Sequence, residues 1–305
     1  TFGDFVVLLH PEVPPLIIQY LGGESLTGFV AYPFYLTPEI VPVGGGAYIV
    51  QSVAYNKGNW PFRAVNANAS HTLAFSATTG TVTVTSSLAY FDTSIIGAQF
   101  LLASGGWFEI TAVGSSTSAT ATVLETLGST SATANWYESS WSDYRGWPRA
   151  GAYHQGRIIY GGNTSEPQTL WGSKINDIHT LYTGATTSVD PINLPIDSDD
   201  INEIQWLVSG KNLDIGTGGR EYISFPRDST EALSTTNITF SAESASGSAY
   251  VPPVRVGNAV TFIDRDNRTV REFVFNFQED SFKSDAISVL SEHLPFKSAE
   301  DLEDP

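Results

Sequence analysis

The 305-residue sequence predicts an all-β chain built from propeller-like repeats, partial or whole, with a small β-barrel or β-sandwich module inserted. Three observations lead there. Thr, Ser, Val, Ile, Tyr and Phe are plentiful and Gly is frequent, which suits strands and tight turns. Thr81 to Thr85 and Ala119 to Leu124 alternate polar and apolar residues with period two, the mark of half-buried antiparallel strands. A layout of strand, tight turn, strand, turn, strand recurs three times with a period of about 50 residues, in the range of propeller blades.

Residues 1–60 read as an extended, Pro-rich β segment that joins the propeller-like body. Phe5 to Leu9 is a short apolar run bounded by His10-Pro11, and Pro14-Pro15 enforces extended or turn backbone. A second strand is expected at Leu16 to Tyr20, closed by Gly22-Gly23, and Gly44 to Gly46 mark a turn. Residues 61–135 form the inserted β-rich module, where charge nearly vanishes. Phe100 to Leu102 and Trp107 to Ile110 flank Gly105-Gly106 as a hairpin.

Residues 136–294 carry the repeat. The first unit runs from Ala152 through Tyr160 to Trp171. The second takes Ile204 to Val208, Leu213 to Gly216 and Tyr222 to Phe225. The third takes Val254 to Val256, Val260 to Ile263 and Val270 to Phe275. A single blade cannot bury both of its faces, so blades must stack. Three units make only part of a ring, to be closed by more chain or by the N-terminal strands. A generic antiparallel β-sandwich is the alternative. At the end of this span, Ala286, Ile287, Leu290 and Leu294 have helical spacing, so a helix capped by Ser284 is expected over Ser284 to Leu294. Residues 295–305 are expected to be an acidic, mobile tail.

Composition narrows the chemistry. The net charge is −17, which opposes ordinary binding to nucleic acid or anionic lipid. Absence of Cys removes disulfides and thiol chemistry. Absence of Met, even at position 1, suggests a segment or a processed product. No stretch resembles a membrane span.

Motifs for catalysis are missing. His10, His71, His154, His179 and His293 form no HExxH or His-x-His pattern, and no P-loop or G-x-S-x-G elbow occurs. Gly216 to Gly219 reads as a turn between strands. Asp197-Ser198-Asp199-Asp200 and Asp264-Arg265-Asp266-Asn267 could offer oxygens to calcium, but neither has the glycine and distal glutamate of an EF-hand loop. The second also fits a hairpin turn. The sialidase-type Asp box is absent. Aromatic residues, seven of them Trp, are expected in cores and subunit interfaces. The chain is therefore read as a non-enzyme with no cofactor and no metal.

One segment is distinctive. Trp141-Ser142-Asp143-Tyr144-Arg145-Gly146-Trp147-Pro148 is followed by Tyr153-His154-Gln155-Gly156-Arg157-Ile158. Pro167-Gln168-Thr169-Leu170-Trp171-Gly172-Ser173 comes next. This series resembles the signature of phage tail nozzle or tail tubular B-like proteins of short-tailed phages. Other pieces agree in order: His10-Pro11-Glu12-Val13-Pro14-Pro15, Tyr32-Pro33-Phe34, Leu213 to Thr217, Val260 to Arg265 with Val270-Arg271-Glu272, and Ser291 to Leu294. Only the 60–135 stretch agrees in composition alone.

The motif residues Trp141, Arg145, Gly146, Pro148, His154, Arg157, Pro167, Trp171 and Ser173 are expected to act structurally. Gly146 and Pro148 set a turn before a strand. Arg145 and Arg157 each hold a carboxylate or backbone carbonyls in a fork. Trp141 and Trp171 pack the blade.

The resemblance implies a structural virion protein that forms a six-fold ring of its own copies below the portal and adaptor, among other tail proteins. Genomic DNA would pass through the lumen without specific binding, and an acidic Asp197, Asp199 and Asp200 would face lumen or solvent. The alternatives are a receptor-binding or glycan-degrading tail component, and a distal-tail or baseplate part of a long-tailed phage.

Overall fold

The computed structural model describes residues 5–288 apart from 24–25, 36–38, 45–46, 52–55, 65–69, 185–186, 199–200 and 277–280. Strands hold 49% of the chain, and the described residues contain no α-helix. All strand pairs are antiparallel.

The N-terminal segment folds as a meander of β1 (Phe5–His10), β2 (Val13–Gly23) and β3 (Leu26–Pro33), with a separate hairpin of β4 (Glu39–Gly44) and β5 (Ala47–Gln51). The inserted module is one seven-stranded sheet. Its strands are β6 (Phe62–Ala64), β7 (Leu73–Phe75), β8 (Thr81–Ser86), β9 (Gln99–Leu102), β10 (Trp107–Ser115), β11 (Ser118–Glu125) and β12 (Trp136–Ser139), in spatial order β6-β12-β9-β10-β11-β8-β7. The sheet thus runs a few residues beyond the span that composition marks. In β8 the two valines are buried and the three threonines exposed, as period two requires. Phe75, Val84, Phe100, Phe108, Ala121 and Trp136 lie in the module's own core. Gly105 and Gly106 turn the β9–β10 hairpin at positive φ, and a Cβ on Gly106 would lie 2.4 Å from the Thr126 carbonyl.

Three four-stranded meanders follow. The first is β13 (Ala150–His154), β14 (Arg157–Gly161), β15 (Thr169–Gly172) and β16 (Ile192–Pro195). The second is β17 (Ile204–Ser209), β18 (Leu213–Thr217), β19 (Glu221–Phe225) and β20 (Thr239–Ser244). The third is β21 (Val254–Val256), β22 (Ala259–Ile263), β23 (Val270–Asn276) and β24 (Ser281–Ala286). Each repeat therefore has four strands, one more than the sequence pattern displays. Tight turns close the hairpins: Gln155 (φ 48°) and Gly156 (φ 79°) join β13 to β14, and Asp264 to Asn267 turn between β22 and β23 with Asn267 at φ 58°.

Consecutive sheets pack face to face, because alternate residues of each strand serve opposite faces. In β14, Ile158 and Tyr160 enter an aromatic cluster with Ile17 and Phe34, while Ile159 enters an aliphatic cluster with Ile204, Leu207 and Ile215. In β17 and β19, Trp206 and Ile223 turn to the far side and meet Val260, Phe262 and Phe273. The order of stacking is thus β1–β3, β13–β16, β17–β20, β21–β24. Among the described residues no sheet closes on itself.

The expected helix over Ser284 to Leu294 is corrected. Ser284 lies in β24 opposite Phe273, and Phe282 stacks on Phe273 with ring centroids 5.0 Å apart. Pairing with β23 satisfies the backbone at once, whereas a short helix must first nucleate. The rest of that span, from residue 289, lies outside the described residues, as do Ser291 to Leu294 and the acidic end at 295–305.

Candidate functional site

The motifs spread along the sequence meet where the N-terminal sheet, the inserted module and the first meander join. Pro11 in the β1–β2 turn accepts a hydrogen bond from the Trp147 backbone N–H at 3.2 Å. Phe34 fits edge-on against Trp60, Trp141 and Trp147 at centroid distances of 5.2, 5.1 and 5.9 Å. Trp141 in turn meets Tyr160 at 4.9 Å and Trp171 at 5.5 Å, both edge to face. Such edge contacts add to the apolar burial of large rings. Trp141 and Trp171 have no exposed surface.

Beside this core sits a buried ionic cluster. Glu138, on β12, is completely buried. Arg145 donates to it as a fork, Nε to Oε1 at 2.9 Å and Nη2 to Oε2 at 2.6 Å. Tyr90 donates its hydroxyl to Glu138 Oε2 at 2.7 Å and accepts from Arg145 Nη2 at 3.2 Å. Arg63 approaches the same carboxylate at 3.5 Å. Burial alone would pull the Arg145 pKa down, but the hydrogen bonds and charge of Glu138 outweigh it and raise that pKa. Burial, then the Glu138 charge, pushes the Tyr90 phenol up. The cluster joins β12 of the module to the segment that leads into β13, so it fixes the module to the body.

Gly146 makes the approach possible. It has φ 85°, and a Cβ there would lie 2.7 Å from Thr164 Oγ1. The neighbouring Pro148 is buried just ahead of β13. Pro167, in the β14–β15 turn, accepts from the Ile204 N–H at 2.9 Å and so ties the first meander to the second. A cleft of about 250 Å³ opens above the junction, lined by Pro11, Glu12, Asp143, Tyr144, Gly146, Trp147 and Thr164.

The remaining motif residues lie at the other end of the same sheet. Arg157, fully buried, donates Nη1 to the Asp190 carbonyl at 2.8 Å and Nη2 to the Ser188 carbonyl at 3.0 Å. Burial lowers its pKa to about 10. Ser173 Oγ accepts from the Ile158 N–H at 3.1 Å and donates to the Lys174 carbonyl at 3.2 Å. His154 Nδ1 lies 3.0 Å from Ser209 Oγ, linking β13 to β17. Burial, then the Arg157 charge, lowers the His154 pKa to about 4, so the ring is neutral at pH 7. The motif residues are thus divided between two ends of one sheet and do not converge on a reaction centre.

Sequence reasoning did not find Glu138, Tyr90 or Asp190, the partners of the two arginines. Only Glu138 left a signal, a charge set among strand residues in Trp136-Tyr137-Glu138-Ser139. Further ionic links stitch the later sheets. Arg255 of β21 reaches Asp214 of β18 at 2.8 Å. Burial raises the Asp214 pKa to about 6 against the opposing pull of Arg255. Glu221, buried, accepts from Ser244 and Ser248. Asp197 is exposed, while Asp199 and Asp200 lie outside the described residues. Among the described residues no group of three His, Asp or Glu side chains is placed to hold a metal. Asp266 instead caps its own turn, accepting from the Arg268 and Thr269 N–H groups at 2.8 and 3.0 Å. No protein-family model and no curated protein matches this chain.

Proposed function

We propose that the chain is a structural tail component of a short-tailed phage, of the nozzle or tail tubular B-like kind, that assembles as a ring around the path of the genome. The observation that carries this reading is the meeting of its motifs. His10-Pro11, Tyr32 to Phe34, Trp141 to Pro148 and Trp171 are far apart in sequence yet share one aromatic junction. They build rigidity: the residues there end in ring contacts, backbone hydrogen bonds and a buried ion pair, which is what a building block needs.

The meanders support a propeller-like body. Four-stranded sheets in chain order, each laid on the next, are the way blades of a propeller bury their faces. The acidic surface suits a wall along which duplex DNA slides without tight phosphate contacts. Portal, adaptor and other tail proteins are the partners in this reading, and the virion is the location. Electron microscopy of the purified protein, alone and mixed with portal–adaptor complexes, tests it. Rings with a central bore are expected. A protein that stays monomeric in both conditions and cleaves or binds bacterial polysaccharide would overturn the reading.

A further inference from the structure

The cleft above the aromatic junction has walls that the junction itself holds rigid. The β1–β2 turn, with Pro11 and Glu12, forms one wall, and the 143–147 segment forms the other. The bond from the Trp147 N–H to the Pro11 carbonyl, at 3.2 Å, fixes the two walls to each other. Trp147 also donates its indole N–H to Asp143 Oδ1 at 2.9 Å, which holds that carboxylate in place and leaves Oδ2 for a ligand. Tyr144 is 40% exposed, and the Arg145 guanidinium lies over its ring, 4.6 Å from the centroid. Arg145 is in turn forked onto the buried Glu138. Thr164 packs close against Gly146 and completes the lining.

The charge of this lining is one-sided. Glu12 and Asp143 are exposed, and among the described residues neither has a cationic side chain within ion-pair distance. His10 meets only the Glu12 backbone N–H, at 3.3 Å. Arg145, beside Tyr144, has its charge matched by Glu138. Elsewhere in the fold, Asp214 and Asp264 each hold an arginine of their own. Size narrows the ligand further. The cleft volume of about 250 Å³ lies below the roughly 300–1,000 Å³ of sites for drug-sized molecules, so it suits one long side chain and not a run of sugar rings.

We propose that the cleft is a socket for one arginine side chain of another tail protein, its guanidinium held between Glu12 and Asp143 and against the Tyr144 ring. The inference rests on the tail reading above and names how the junction meets a partner. A guanidinium suits the lining better than an ammonium, because its planar fork serves two carboxylates and stacks on an aromatic ring. A different chain is the better source of it. Arg63, Arg145, Arg149, Arg157, Arg255 and Arg271 are already engaged inside this fold. A chain of net charge −17 also draws in a basic partner. One anchor side chain seated in a rigid pocket is how interfaces concentrate affinity.

Protein labelled with 5-fluorotryptophan reports on the cleft through its Trp147 fluorine resonance, assigned with Trp147→Phe. N-acetyl-arginine methylamide is expected to shift that resonance saturably. The citrulline analogue, of the same shape without the charge, is expected not to. Glu12→Gln/Asp143→Asn should weaken the arginine probe by roughly tenfold. Glu231→Gln/Asp285→Asn, which removes the same charge from exposed positions elsewhere, should leave it unchanged. No saturable shift, an equal shift by citrulline, or binding of N-acetylglucosamine instead overturns the socket and leaves the ring reading standing. In electron microscopy the cleft variant, with circular dichroism like wild type, is expected to form rings and to lose binding to portal–adaptor complexes. A cleft variant that binds those complexes as wild type does overturns the proposal. Loss of the rings themselves puts a second copy in the cleft and overturns the assignment to another protein. A wild type that forms no rings, alone or with those complexes, overturns the ring reading, and the probe titration still decides the socket.

Discussion

Replacing Arg145 with methionine removes the cation from a carboxylate that has no exposure to water. Glu138 receives two charge-assisted hydrogen bonds from Arg145, at 2.9 and 2.6 Å, and one from Tyr90 at 2.7 Å. Each bond to a charged group contributes about 1.5–3 kcal/mol, and removing one partner of a buried pair costs about 3–5 kcal/mol. Arg63, at 3.5 Å and partly exposed, offsets only part of that loss. Arg145→Met should therefore destabilise the protein by about 3–5 kcal/mol. Glu138→Leu, which strands the guanidinium at a partly exposed position, should cost less. The double variant should recover most of the loss, since a well-packed apolar pair avoids the desolvation of both charges. Urea unfolding followed by tryptophan fluorescence and circular dichroism measures all four proteins. A single Arg145→Met loss under about 1 kcal/mol, or additive losses in the double variant, would refute the reasoning that this pair is a buried, coupled unit.

Gly216→Ala should destabilise by about 1–3 kcal/mol or more, read as a lowered thermal midpoint, because the new Cβ would lie 2.0 Å from the Trp206 ring between two sheets. His154 has a folded pKa of about 4 against an ordinary 6.5, so the unfolded chain takes up its proton first. Its stabilising share is full above pH 6.5 and is lost as pH falls towards 4, on the order of 3 kcal/mol, and His154→Asn should flatten that slope in denaturation curves taken across the window. Asp214 has the opposite sign: its folded pKa of about 6 lies above the ordinary 3.8, so its share is present below pH 3.8 and is lost as pH rises towards 6. Asp214→Asn should remove that decline, and a stability profile steeper on the acid side of neutrality is the expected readout.

Much of the secondary structure was legible because a strand buried on one face must alternate. Thr81 to Thr85 and Ala119 to Leu124 are strands for that reason, and the three repeats emerged from their Gly-containing turns. The fourth strand of each meander was not. Ile192 to Pro195, Thr239 to Ser244 and Ser281 to Ala286 are short and mostly half-buried, and only pairing with the preceding strand makes them strands. Ser281 to Ala286 also explains the mistaken helix: spacing at Ala286, Ile287 and Leu290 serves either period when so few residues are counted.

The sequence by itself determined the all-β character, the three repeated units, and the forked use of Arg145 and Arg157, because periodicity, turn residues and the geometry of guanidinium are local properties. Only the tertiary structure decided which carboxylate and which carbonyls those arginines hold, that Pro11 lies against Trp147, and in what order the sheets stack. Those depend on how separate sheets approach one another, and residue spacing along the chain carries no record of that approach.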